Sequence, residues 1–248
     1  TQHLDKSDPK RKLPSRTTDL HALAVLIYMY LLYRHPLRGD KVFDMNYSQR
    51  DEELGMGEKA LFIEHPTDHS NRIKVGNVKP SEQPWKDKQK MPYTITGPYL
   101  SELFKRAFID GLHNPIARPT ADEWEQALVK TVDLLQPCQN ANCEQKWYAF
   151  DNSKSPKCPF CGTAHQGKLP VLNLYSAAPN GSYRPDNHRI MVYSGQSLFK
   201  LHSDNRIFPN EKLKAEDAKR IGYFVLHQGN WWLVNENLTD MVDVNTKQ

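Results

Sequence analysis

Four cysteines fall between residues 138 and 161, and nowhere else in the chain. Cys138 and Cys143 are separated by four residues; fourteen residues later come Cys158 and Cys161, separated by two and followed by Gly162. Two close pairs joined by a short loop can set four thiolates around one tetrahedral zinc ion. The Pro-Phe-Cys-Gly ending suits a tight knuckle turn, in which Gly162 supplies a positive φ. Four soft ligands leave no position for water, so such a zinc would be structural, and a zinc hydrolase is excluded. Its binding free energy would go into folding a segment too small to fold alone. The alternatives are four unrelated free cysteines or an iron–sulfur cluster. The four-residue gap makes Cys138 the loosest ligand, with His165 as a substitute. Trp147, Tyr148 and Phe150 either pack the ribbon or form a contact surface.

Elements on both sides must position that segment. Upstream, Thr17 to Leu37 is the one long apolar stretch, with every residue from Ala22 to Leu32 apolar or aromatic. Thr18 or Asp19 can cap its start and Pro36 bars its continuation, so the expectation is a helix of about four turns. A helix apolar on all sides is expected to be buried on all sides; it is too short, and too closely flanked by charge, for a membrane span. Residues 38–97 carry turn and breaker residues rather than periodicity and read as a loop-rich insertion, anchored by the apolar Leu61–Pro66. Leu100, Leu103, Phe104, Ala107, Phe108 and Leu112 then fall on one helical face, closed by Gly111. Thr120 and Glu123 form a capping box for a helix with Trp124, Leu128, Val132 and Leu135 on one face, ending at Pro137. Residues 17–136 thus read as a helical unit without strands.

Downstream the pattern changes to short β-branched and aromatic runs at 169–175, 188–193, 197–202, 221–227 and 230–235, with His227-Gln228-Gly229-Asn230 as a hairpin loop. The expected architecture is a multidomain α + β chain. It comprises an extended lead-in (1–16), the helical unit (17–136, insertion 38–97), a zinc ribbon (137–166) and a small all-β sandwich or barrel (167–248). Trp231 and Trp232 are adjacent, so a strand turns one inward and the other outward as a weak candidate for a partner contact.

The net charge is +4, with 25% charged and 38% hydrophobic residues, which gives enough apolar material for a core and no strong pull toward nucleic acid. The basic runs Lys6–Lys12 and Lys86–Lys90 read as solvated loops. Cysteines this few and this local point to metal in a reducing compartment rather than to a disulfide scaffold, and with no signal peptide in view the expected location is cytoplasmic.

The segment Asp19-Leu-His-Ala-Leu-Ala-Val-Leu-Ile-Tyr28 resembles the central helix of a protein-kinase C-lobe, whose motif runs Asp-x-x-x-Leu-Gly-x-x-x-Tyr. Arg34-His35-Pro36-Leu37 resembles the exit that follows it, and His113-Asn-Pro-Ile-Ala-Arg118-Pro119-Thr120 resembles the Asp-Pro-x-x-Arg-Pro-Thr segment between the last C-lobe helices. Together with a trailing zinc ribbon, these residues resemble a bacterial group of kinase-like proteins linked to tellurite-resistance and stress operons. The resemblance covers residues 17–136. It implies that Asp19 braces a catalytic loop and that Arg118 pairs with a glutamate of the activation segment, both architectural roles.

A Gly-rich loop, a phosphate-binding lysine, a catalytic Asp–Asn pair and an Asp-Phe-Gly motif are not found, so the chain by itself carries no catalytic residues. ATP and Mg2+ would belong to a full-length protein with an intact N-lobe, and the chain reads as the C-terminal part of such a serine/threonine kinase. Zinc ribbon and β-domain would dock protein partners or substrates. The alternative is a non-enzymatic scaffold, a kinase relic that binds nucleic acid through the ribbon, near which Lys146 and Lys157 sit. The β-domain also resembles a forkhead-associated domain in outline, but without the motifs that bind phosphothreonine there.

Overall fold

The computed structural model describes residues 15–42, 54–55, 57–73, 91–210 and 212–245. The two basic runs and most of the insertion lie outside these residues. The described chain is mixed α/β, with three α-helices and small antiparallel sheets.

Helix α1 spans Arg16–Leu32. Ser15, rather than Thr18 or Asp19, is its N-cap, and its N–H donates to Thr18 Oγ1 at 2.8 Å. The helix stops before Pro36, because Tyr33 turns left-handed (φ 57°) and returns its N–H to Met29 O. Burial of α1 on all sides is not what forms. Ala24, Tyr28 and Leu32 make one buried stripe, whereas Leu26, Tyr30 and Tyr33 are 53%, 79% and 62% exposed. No described element packs on that second face.

Helix α2 (Pro98–Lys105) continues as a π-helical turn over Arg106–Asp110, closed by Gly111 N–H to Arg106 O at 2.7 Å. Leu100, Leu103, Phe104, Ala107, Phe108 and Leu112 are all buried, so the periodic face holds through the π turn. They surround Tyr28, whose ring stands edge-on to Phe104 at 5.1 Å, Phe108 at 5.6 Å and Phe62 at 5.8 Å. Phe62 and Ile63 come from the Leu61–Pro66 anchor and are fully buried. Beside them Glu64 accepts from the Tyr28 hydroxyl, from Arg34 Nη2 (2.6 Å) and from Tyr93 N–H (2.9 Å), while Arg34 Nη2 also reaches Met91 O at 2.6 Å. One carboxylate thereby ties the end of α1 to the anchor and to residues 91–93. Burial and the Glu64 charge push the Tyr28 phenol well above its ordinary pKa. Asn71 does similar work nearby: its side chain accepts from Lys41 N–H and donates to Leu37 O and Leu61 O.

Helix α3 spans Ala121–Asp133, with Thr120 and Glu123 in the reciprocal capping box. Its buried face is Trp124, Ala127 and Thr131, continuing to Leu134; Leu128 and Val132, assigned to that face from sequence, are solvent-facing. Trp124 packs on Phe104 at 5.1 Å, and that contact sets the rotation of the helix. The helix also ends earlier than Pro137, since Leu135–Pro137 form strand β1, paired antiparallel with β2 (Trp147–Ala149). The segment 17–136 is therefore not strand-free.

Strands β3 (Val171–Ala177) and β4 (Tyr183–Met191) form one antiparallel pair. Strands β5 (Ser197–Phe199), β6 (Arg220–His227) and β7 (Asn230–Asn235) form a three-stranded sheet. Gln228 and Gly229, both at positive φ, make the two-residue turn between β6 and β7. Leu172, Leu174 and Ile190 of the first sheet share one apolar cluster with Leu198, Ile221, Phe224, Trp231 and Leu233 of the second. Another cluster joins Leu134, Phe150 and Met191, so the segment after α3, the end of the cysteine segment and β4 meet at one point.

Candidate metal centre

The two cysteine pairs are brought together by β1, β2 and two turns. Cys138 follows β1 directly, and its N–H donates to Lys146 O at 2.6 Å across the loop. Cys143 closes a turn to Asn140 O (2.9 Å), and the Asn140 side chain accepts from Asn142 N–H (2.9 Å). The four-residue gap is thus a self-bonded turn that delivers both sulfurs to one side. On the other limb Gly162 sits at φ 75° and donates to Cys158 O at 2.8 Å, while Cys158 N–H donates to Thr163 O at 2.9 Å.

The four sulfurs all lie within 4.8 Å of one another, with Cys138–Cys161 at 3.5 Å and Cys143–Cys158 at 3.7 Å. A disulfide would hold its sulfurs at about 2.05 Å. A tetrahedral ion with metal–sulfur bonds of about 2.3 Å holds them about 3.8 Å apart, which the observed distances approach. The cluster therefore fits a metal such as zinc. Among the described residues the group holds the four cysteines without His165, whose backbone N–H donates to Pro156 O at 2.9 Å.

Backbone N–H groups aim at the sulfurs, from Asn140 to Cys138, from Phe160 and Cys161 to Cys158, and from Thr163 to Cys161. Such donors stabilise thiolates and orient them, as outer-shell partners of a metal do. The Thr163 hydroxyl and backbone pull the Cys161 thiol down to about 6, whereas burial pushes Cys158 up to about 12. A cation at the centre would relieve the cost of ionising the buried thiol. Tyr148 packs inside this knuckle against Cys143 and Cys158, and Trp147 lies edge-on to Tyr193 at 5.1 Å. Lys146 and Lys157 are exposed at its rim.

The remaining sites singled out from sequence lie apart from the cysteines. Asp19 is exposed in the first turn of α1. Arg118 is buried and donates to three backbone carbonyls of described residues, Gly111 O (2.8 Å), Leu112 O (3.0 Å) and Thr17 O (2.6 Å). Burial lowers its pKa. Trp231 packs into the β-cluster, and Trp232 is 58% exposed. Sequence reading missed a second convergence, of Asp133, His188 and His202. The histidines lie 55 and 69 positions beyond the aspartate, so no spacing pattern could announce it.

Compared with known proteins, the chain matches no family model, no curated protein and no solved structure. No described helix is long and apolar enough to cross a membrane.

Proposed function

We propose that the chain is the C-terminal portion of a bacterial protein-kinase-like protein. Its helical unit serves as scaffold, its zinc-bound ribbon as a folded spacer, and its β-unit as a dock for a protein partner or substrate. The observation that carries this reading is the second face of α1. Leu26, Met29, Tyr30 and Tyr33 expose a row of large apolar groups on the helix that resembles a kinase centrepiece. Such a row is costly in water and suits a helix that more protein covers. Arg118 supports the reading from the other side, by bonding the first turn of α1 to the segment resembling Asp-Pro-x-x-Arg-Pro-Thr.

In this reading phosphotransfer, with ATP and Mg2+, occurs only in a full-length protein whose N-lobe carries the catalytic groups, and this chain is inactive alone. The test is an ATP-binding and phosphotransfer assay on the full-length gene product beside this chain. Activity in the former and none in the latter supports it. A full-length protein that binds no ATP leaves only the scaffold reading. Salt-dependent binding of a generic duplex by the ribbon, weakened by Lys146→Glu and Lys157→Glu, would instead favour a nucleic-acid module.

A further inference from the structure

Asp133 is the last residue of α3, His188 lies in β4, and His202 ends the short 3-10 turn (Lys200–His202) after β5. Their side chains are 9%, 11% and 4% exposed. Both Nε2 atoms converge on one carboxylate oxygen, Asp133 Oδ2, at 2.6 Å from His188 and 3.1 Å from His202. Burial alone would raise the Asp133 pKa, but the two imidazole hydrogen bonds outweigh it and hold the carboxyl ionised. The two histidines, though not the aspartate, line a cavity of about 570 Å3 between α3, the β3–β4 pair and residues 201–209.

We propose that Asp133, His188 and His202 form a second metal site, for a divalent ion of the zinc class, open toward this cavity. Three nitrogen and oxygen donors about 2.1 Å from an ion stand about 3.0 to 3.4 Å apart. The His202–Asp133 separation of 3.1 Å lies within that range, the His188–Asp133 separation of 2.6 Å is a few tenths of an ångström short of it, and all three donor atoms lie within 4.8 Å of one another. Two imidazoles and one carboxylate are a donor set for zinc or iron(II), and three protein ligands leave at least one position for water or an anionic oxygen. The cysteine cluster, by contrast, is coordinatively closed.

The hydrogen bonds also say what loading must change. Phe199 N–H donates to His202 Nδ1 at 3.1 Å, so in the metal-free neutral ring Nε2 carries the proton that it gives to Asp133. An ion at Nε2 takes the place of that proton, moves it to Nδ1, and breaks the Phe199 bond. Loading therefore leaves two N–H donors facing each other, so the imidazole or the Phe199 peptide must turn to give each an acceptor. His188 carries no such constraint, since its other ring nitrogen makes no hydrogen bond among the described residues.

The experiment uses the whole chain with one equivalent of zinc bound, titrated with cobalt(II) and followed by absorption and amide NMR. A further equivalent should enter with ligand-field bands and no thiolate charge transfer, and the Phe199 amide should shift with it. Asp133→Asn keeps an oxygen to accept the imidazole hydrogen bonds but removes the charge, and should weaken the second equivalent at least about 100-fold while the first is retained. His188→Gln should do the same. Uptake that stops at one equivalent, a second equivalent bearing thiolate charge transfer, or one unchanged in both variants overturns the proposal.

Discussion

Arg118 illustrates how much a single side chain holds. Its guanidinium is the shared donor for carbonyls of Thr17, Gly111 and Leu112, so removing it leaves buried acceptors without partners. Arg118→Ala is expected to cost about 2 kcal/mol or more, read as a lower urea midpoint at unchanged slope. Gly111 belongs to the same arrangement: a Cβ there would sit 2.8 Å from Arg106 O and 3.0 Å from Arg118 Cγ. His21 and His35 set the response to acid. Burial lowers each from 6.5 to about 4, helped by the charge of Arg118 on His21 and of Arg38 on His35. The unfolded chain therefore binds protons first as pH falls below 6.5, and stability declines between pH 6.5 and about 4 by up to about 3 kcal/mol per histidine. His35→Asn, which keeps an acceptor for Leu37 N–H, should flatten that decline in denaturation midpoints taken across the window. An equal slope in variant and parent would count against this.

Among the elements, the knuckle depends most on its ligands. Besides the sulfurs, the two-stranded β1–β2 pair, a small cluster of Cys143, Tyr148 and Cys158, and the paired Gln139 and Gln166 hold its limbs together. Cys158→Ser should therefore abolish the thiolate-bound equivalent of metal and unfold residues 138–165. The Tyr28–Phe104–Trp124 core should keep its helical circular dichroism; collapse of that signal would show the knuckle to be integral to the core. In the anchor, Glu64 bonds Tyr28, Arg34 and Tyr93 from one carboxylate with only 17% of its side chain exposed. Glu64→Ala removes the acceptor shared by these three donors, for an expected loss of about 2 kcal/mol in equilibrium unfolding.

For the whole molecule, the joint between helical unit and β-unit is small and mixed. Leu134, Phe150 and Met191 form its apolar part, while Lys130 to Asp186 O (3.1 Å) and Asp133 to the two histidines form its polar part. Met191 is fully buried, so Met191→Ala should cost about 3 kcal/mol. Because the joint is where units meet, that loss should split one calorimetric transition into two. A single transition, merely shifted, would mean that the units do not unfold separately.

By itself the sequence determined what local chemistry and short spacings dictate. The capping box at Thr120, the six-residue apolar face from Leu100 to Leu112, the hairpin loop over residues 227–230 and the four-cysteine cluster were all legible, because each is a pattern within one stretch of chain. Rotation and partnership were not. Leu128 and Val132 look like core by periodicity, yet Trp124 packing on Phe104 turns them outward. Eleven successive apolar or aromatic residues in α1 said that the helix wants burial, but only packing decided which stripe is covered and which faces water. The Glu64 hub, the carbonyl partners of Arg118 and the convergence of Asp133, His188 and His202 join residues tens of positions apart. Such contacts exist only once the chain has folded, since proximity across elements leaves no periodic trace in the order of residues.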